Sequence, residues 1–150
     1  VLFSAVRRLP FELIPFVLSM VVLVLGMNYS GLTERLAAVL VTDRPILSVG
    51  ISSFFAANLI NNIPMSVLFS SVLETVTDPE VYRQGVFAAV VGSNIGAYLT
   101  PVGALAGIMW SSILRRFGIR FSFRRFLLYG AAVAIPTLFA ALAGLWIMLG

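Results

Sequence analysis

The sequence contains no cysteine and no histidine, and charged residues make up only 11% of its 150 positions. Without cysteine, the chain forms no disulfide and offers no thiolate to a soft metal or metalloid. Without histidine, it lacks the commonest metal ligand and the commonest proton shuttle. No serine has a visible partner base, so we do not expect an enzyme and predict no catalytic residue, no metal site and no cofactor.

Apolar side chains dominate what is present. Hydrophobic residues account for 60% of the chain, and the mean hydropathy is +1.04. Because an ordinary soluble domain is about 25% charged, this composition predicts a multi-pass integral protein of the cell (inner) membrane, with the lipid bilayer as its first partner. The net charge of +4 is carried by arginines that flank apolar runs, as topology determinants do, so no nucleic-acid binding is expected.

The apolar runs divide residues 1–150, which we interpret as one membrane domain, into four stretches. They are a first span at about 9–27, a two-armed stretch at 46–76, an interrupted span at 86–114 and a last span at 121–149. A short amphipathic helix is expected at 31–41, lying at the interface. The chain begins at Val1 without the pattern of a signal peptide, so we expect the C-terminal part of a longer polypeptide.

The stretch 46–76 is interrupted by polar residues and a proline. They are Asn58, Asn61, Asn62 and Pro64. Such side chains are expensive in lipid unless they face protein or water. The stretch is either one long broken helix or a re-entrant hairpin with its tip at 61–64.

Charge favours the hairpin. The loop after residue 76 is acidic, whereas the loop after residue 114 holds five arginines and no acid. Under the positive-inside rule this basic loop and Arg7-Arg8 are both cytoplasmic. They share a side only if the stretch 46–76 returns to the side from which it entered.

The span 86–114 has a second interruption, at 92–103. Gly92 and Gly96 weaken a helix interior, and Pro101 removes a backbone donor. Unwound backbone in a membrane is tolerated where protein buries it or where it lines a wet cavity, so the interruption is a candidate binding site. The alternative is a proline-kinked helix whose small residues allow tight packing.

We predict that the two interruptions face a shared cavity. The candidate substrate-binding residues are Asn61, Asn62, Pro64, Ser93, Asn94, Gly96, Thr100, Pro101 and Gly103. Helix N-termini after Pro64 and Pro101, together with neutral amides and hydroxyls, suit a neutral or anionic oxyacid. Open alternatives are helix capping for Asn61 and Asn62, a backbone-shaping role for the glycines, and a helix–helix bond for Asn58.

At both interruptions the sequence resembles the membrane subunit of the arsenical pump, within the ion transporter superfamily. Residues 61–64, Asn-Asn-Ile-Pro, are similar to its Asn-Asn-hydrophobic-Pro signature, and residues 100–106, Thr-Pro-Val-Gly-Ala-Leu-Ala, to its Thr-Pro-hydrophobic-Gly-Ser-Leu-Ala. Residues 31–34 and the last span are similar in placement. One departure lies at 94–97, which reads Asn-Ile-Gly-Ala where the arsenite permeases carry Asp-Leu-Gly-Pro.

The resemblance implies an all-α half-repeat with a re-entrant helical hairpin and a broken transmembrane helix, paired with the N-terminal half of the same permease. It implies a secondary transporter that exports arsenite or antimonite by ion-coupled antiport in an elevator-type motion, with a homodimer and an ATPase subunit as further partners. The alternatives are a carboxylate/sodium symporter or sodium/proton antiporter of the same superfamily and, from another class, a structural membrane domain that binds no solute. Glu12 and Glu74 lie only near the membrane edges, so a proton-coupled mechanism needs a carboxylate in the N-terminal half.

Overall fold

A computed structural model describes residues 13–119 and 121–150, and within these ranges the chain forms seven helices and no strand. The helices are α1 Leu13–Tyr29, α2 Leu32–Leu40, α3 Pro45–Ile60, α4 Asn62–Leu73, α5 Pro79–Gly96, α6 Leu105–Arg116 and α7 Phe123–Leu149. The prediction of an all-α protein is confirmed. The start of the predicted first span at 9–12, together with Arg7, Arg8, Glu12 and Arg120, lies outside the described residues.

Local chemistry explains several of the helix boundaries. Asp78 caps α5 by accepting hydrogen bonds from the backbone N–H groups of Glu80 (2.8 Å) and Val81 (3.3 Å), and Pro79 follows at the first helical position. Ser122 caps α7 through the N–H of Arg125 at 3.3 Å. Each cap satisfies backbone donors that a helix N-terminus otherwise leaves unpaired.

The centre of the fold is the contact between α3 and α5, where glycines let the two backbones approach closely. A Cβ added at Gly92 would overlap the carbonyl oxygen of Gly50 and the hydroxyl of Ser53, and one added at Gly96 would overlap the carbonyl oxygen of Phe54. Because Gly92 meets Gly50 and Gly96 meets Phe54, α3 and α5 run in the same direction. Small residues at such positions allow helices in membranes to pack by van der Waals contact.

The helices α4 and α7 run opposite to α5. Gly85, near the start of α5, meets the side chain of Leu73 at the end of α4. Gln84 donates a hydrogen bond to the carbonyl oxygen of Leu149 at the end of α7, with an N–O distance of 2.6 Å. The helices α3 and α4 therefore run back on each other, with Asn61 alone between them.

The core lies where α3, α4, α5 and α7 meet. Its largest buried side chains include Phe54, Met65, Leu73 and Leu142, each at most 2% exposed. The outer face of α7 is apolar as well, since Leu128, Val133 and Phe139 are each more than half exposed. Among the described residues, α7 alone is both long and apolar enough to cross a bilayer, while α3 and α4 are shorter apolar helices.

Candidate solute-binding site

The first break in the helices is the single residue Asn61, between α3 and α4. Its backbone has φ 72° and ψ 154°, a region that glycine favours and that costs other residues about 1–3 kcal/mol. The side chain, only 2% exposed, accepts a hydrogen bond from the N–H of Ile63 (3.4 Å) and donates one to the carbonyl oxygen of Val102 (3.1 Å). Asn61 therefore caps α4 and is bonded to the second break.

The second break comprises residues 97–104, between α5 and α6. The sequence places its beginning at Gly92, but α5 continues as a helix through Ser93 and Asn94 and ends at Gly96. A glycine costs a helix interior about 1 kcal/mol, and here the helix persists because Gly92 and Gly96 are needed for contact with α3. The predicted start of the second interruption, at residue 92, is therefore five residues too early.

Hydrogen bonds join the two breaks, and we call this set the inter-break bonds. Asn58, near the end of α3, donates to the carbonyl oxygen of Gly96 (3.0 Å) and accepts from the hydroxyl of Thr100 (2.8 Å). The same hydroxyl accepts from the N–H of Gly103 (3.2 Å), whose carbonyl oxygen accepts from the N–H of Asn62 (3.2 Å). Together with Asn61 and Val102, these bonds hold both unwound segments at one place.

A groove of about 240 Å³, which we call the polar groove, runs between α4 and α5 and reaches Met65 and Asn94, each within about one helical turn of a break. Its lining consists of Met65, Ser66, Phe69, Ser70, Leu73, Tyr82, Val86, Ala89, Val90, Ser93 and Asn94. No residue in this lining carries a charge at neutral pH. The groove therefore offers hydroxyl and amide groups on an otherwise apolar wall.

Asn94 is an exposed polar side chain at the end of the polar groove that lies nearer the breaks. Its amide nitrogen donates to the carbonyl oxygen of Val90 at 2.8 Å, one turn earlier in α5. Its Oδ1 accepts no hydrogen bond from the described residues, so this oxygen is available to a solute. Ser93 also lines the groove but is 4% exposed, and its hydroxyl donates to the same Val90 oxygen at 3.1 Å.

Helix ends add opposite partial charges to the polar groove. Met65 and Ser66 belong to the first turns of α4, whose N-terminus carries a partial positive charge. Ser93 and Asn94 belong to the last turn of α5, whose C-terminus carries a partial negative charge. A solute at this end meets donors from one helix and acceptors from the other.

The predicted site residues thus separate by location. Ser93 and Asn94 line the polar groove, whereas the other predicted residues lie elsewhere. Asn61, Asn62, Gly96, Thr100 and Gly103 take part in the inter-break bonds, Pro64 is buried in the first turn of α4, and Pro101 lines a different cavity beside Trp110. The capping role that the sequence left open for Asn61 agrees with this geometry.

Sequence reasoning did not select Ser66 and Ser70, which line the polar groove. A signal for them exists, because Asn62, Ser66 and Ser70 follow one another at four-residue spacing and so lie on one face of a helix. For Asn58, the sequence allowed a hydrogen bond to another helix as an alternative to binding substrate. Its contacts with Gly96 and Thr100 are such bonds.

Comparison with known protein families gives a match along nearly the whole chain. The family profile described as arsenical pump membrane protein matches residues 3–149. Among curated relatives, the arsenical pump membrane protein of Yersinia enterocolitica is 28% identical over 149 residues, and that of Escherichia coli (strain K12) is 29% identical over the same length. A 46 kDa membrane protein of Mycobacterium leprae is 30% identical over 108 residues, which are 69% of this chain and 24% of that protein.

The chain spans about a third of the first two relatives, since each alignment covers 95% of this chain and 35% of the relative. No solved structure matches the chain.

Proposed function

The chain belongs to the arsenical pump membrane protein family, a family of multi-pass inner-membrane proteins, and from this premise we propose that it forms part of a secondary transporter that exports arsenite or antimonite. The two breaks and the polar groove contribute to the solute pathway in this proposal. The remaining lining comes from the rest of the protein.

The observation that carries this proposal is the uncharged polar groove, which reaches within about one helical turn of both breaks. Arsenous acid is neutral at pH 7 and presents hydroxyl groups that both donate and accept hydrogen bonds. The hydroxyls of Ser66 and Ser70, the Oδ1 of Asn94 and the two opposed helix ends match that mixture of donors and acceptors. A carboxylate would find no cationic side chain in the lining, which favours the neutral solute.

The depth of the breaks supports a re-entrant hairpin and a broken transmembrane helix. From Gly85 to Gly96 the apolar part of α5 has 12 residues, which rise about 18 Å at 1.5 Å per residue. This is just over half of a hydrocarbon core of roughly 30 Å. The helix α3 runs parallel to α5 and ends at the depth of the breaks, and α4 returns along α5 in the opposite direction. Both ends of the hairpin formed by α3 and α4 would therefore lie on one side of the membrane.

The inter-break bonds support an elevator-type motion. Because Asn58, Thr100 and Gly103 bond the hairpin to the second break, the two unwound segments would move as one unit rather than open against each other. Such a unit would carry the solute across the membrane against a stationary part of the permease. Ion-coupled antiport would supply the driving force.

The coupling carboxylate of a proton-driven cycle would lie outside the described residues. The carboxylates of the described part of the chain, Glu34, Asp43, Glu74, Asp78 and Glu80, all lie on α2, in loops or at the start of α5. We therefore expect Glu74→Gln in the full-length protein to retain pH-dependent transport. Loss of that dependence, at unchanged expression, would contradict this part of the proposal.

The test is arsenite efflux from cells that express the full-length parent protein. We expect wild type to lower cellular arsenic, and expect Asn94→Ala and Ser70→Ala to weaken this effect while still reaching the membrane. Matched controls are Ser48→Ala on α3 and Thr137→Val on α7, which also remove one hydroxyl each but do not line the polar groove.

The outcomes separate the parts of the proposal. If wild type leaves arsenic unchanged, the substrate is wrong, and carboxylate and sodium transport would be measured next. If wild type exports arsenite but Asn94→Ala and Ser70→Ala behave like their controls, the polar groove is not the pathway. If no solute moves, the alternative of a structural membrane domain is favoured.

A further inference from the structure

We propose that the cleft between α6 and α7 binds one anionic phospholipid, with its headgroup at Arg115 and one acyl chain along α7. The cleft is a separate feature from the polar groove. It lies beside the arginine-rich loop that follows residue 114, which the positive-inside rule assigns to the cytoplasmic side. The relevant chemistry is a phosphate ester joined to a long apolar chain.

The polar half of the cleft has about 460 Å³ of space. Ser111, Arg115 and Trp110 contribute to its wall. The Arg115 Nε donates to the carbonyl oxygen of Ser111 at 3.4 Å, which orients the guanidinium group and leaves its other N–H groups for a ligand. This volume lies within the roughly 300–1,000 Å³ range of small-molecule sites.

The charge around the polar half favours an anion. Arg116, Arg124 and Arg125 flank it in sequence, and the chain from Val81 to Gly150 contains no aspartate or glutamate. The ion pair of the described part of the chain joins Arg83 and Glu80, at the opposite end of α5. Juxtamembrane arginines that lack acidic partners attract anionic lipid headgroups.

The apolar half argues for a lipid rather than a free anion. A second cavity of about 310 Å³ continues from the first, since Trp110, Phe121 and Phe126 line both. It extends along α7 as far as Val133, which is 10 residues, or about 15 Å, beyond Phe123 toward the bilayer interior. A polar pocket that opens into an apolar groove of this length has the shape of a headgroup and acyl chain.

The packing of α6 leaves room for this occupant. None of its side chains in the described set is buried. The aromatic ring of Trp110 packs on α7 and on the loop before it, with its centroid 5.5 Å from that of Phe121 and 5.7 Å from that of Phe126. A lipid in the cleft would fill the gap and support the second break, because Pro101 also lines the polar half.

The experiment counts retained lipids on the purified full-length protein by native mass spectrometry. The probes are phosphatidylglycerol and phosphatidylcholine with identical acyl chains, and the variants are Arg115→Gln, Trp110→Ala and the control Arg35→Gln, an exposed arginine on α2. We expect one tightly held phosphatidylglycerol on wild type and on Arg35→Gln. On Arg115→Gln the affinity for phosphatidylglycerol should be about fivefold lower, because one arginine near the membrane surface contributes about 1 kcal/mol to the binding of an anionic lipid. Trp110→Ala should weaken retention of phosphatidylglycerol as well.

Four results would overturn the proposal. The first is equal retention of the two lipids, and the second is unchanged retention on Arg115→Gln. The third is displacement of the bound lipid by millimolar inorganic phosphate, which would show a free-anion site. A photoreactive group at Ser111 should label lipid; labelling of the protein's own remaining segments instead would show that the permease itself covers the cleft.

Discussion

The inter-break bonds can be tested by a double-mutant cycle on Asn58 and Thr100. Asn58→Leu keeps a similar volume but removes the bonds to Gly96 and Thr100, which measure 3.0 Å and 2.8 Å. Thr100→Val removes the hydroxyl while keeping the branched shape, and with it the 3.2 Å bond from the N–H of Gly103. Each single change leaves partly buried polar partners unpaired, so each should destabilise the protein by about 1–3 kcal/mol.

The double variant should be less destabilised than the sum of the two single variants. The difference is the coupling energy, and we expect about 0.6 kcal/mol, the mean measured for side-chain hydrogen bonds between membrane helices, with about 1.7 kcal/mol as the upper bound. The measurement is unfolding of the purified full-length protein by sodium dodecyl sulfate in mixed micelles, followed by circular dichroism. Thr137→Val is the matched control, because its hydroxyl bonds only the carbonyl oxygen of Val133 within α7 at 2.7 Å.

The control cycle of Asn58→Leu with Thr137→Val should be additive to within about 0.5 kcal/mol, as for distant independent sites. If the Asn58 and Thr100 cycle is also additive to within this limit, the reasoning is refuted, because the two breaks are then not joined through these side chains. A coupling that appears in both cycles would show that the assay reports global effects, and the inter-break bonds would gain no support from it.

Two further predictions concern the backbone. Gly92→Ala would press a methyl group against Gly50 and Ser53, so it should destabilise the full-length protein by about 1–3 kcal/mol through overpacking and lower its melting temperature. The control Gly26→Ala, with nothing within 4 Å of the added Cβ, should leave the melting temperature unchanged. Equal effects of the two changes would contradict the close α3–α5 contact. At the first break, Asn61→Gly should be milder than Asn61→Ala in the same assay, because both lose the bond to Val102 but only alanine keeps the strain of φ 72°. The reverse order would show that this backbone conformation is not retained.

Much of the architecture follows from the sequence because the signals are local. Asn61, Asn62 and Pro64 mark the end of one helix and the start of the next, and the described helices α3 and α4 begin and end within three residues of the predicted stretch 46–76. The helix α7 likewise falls within the predicted last span, at 121–149. Polarity and proline act on the residues around them, so these boundaries can be read without knowing the fold.

The site could be read only in part because its arrangement depends on contacts between distant residues. Nothing in the sequence distinguishes a glycine that unwinds a helix from one that packs against a neighbour, and Gly92 and Gly96 do the latter. Asn58 and Thr100 are 42 positions apart, so their bond appears only once α3 and α5 are placed in register. The resemblance at 61–64 and 100–106 indicated which segments matter, but it did not separate Ser93 and Asn94, in the polar groove, from the residues that join the breaks.

The most direct test of the central claim is whether the polar groove is open to water. Single cysteines at Asn94 and at Phe87, both exposed on α5, would be introduced into the full-length protein after replacement of any cysteine outside this segment. Each variant would be treated with a membrane-impermeant maleimide in cells and in inverted vesicles. Asn94→Cys should react from at least one side, whereas Phe87→Cys, which does not line the groove, should not. If Asn94→Cys is as unreactive as Phe87→Cys from both sides, the groove is not a solute pathway and the account is wrong.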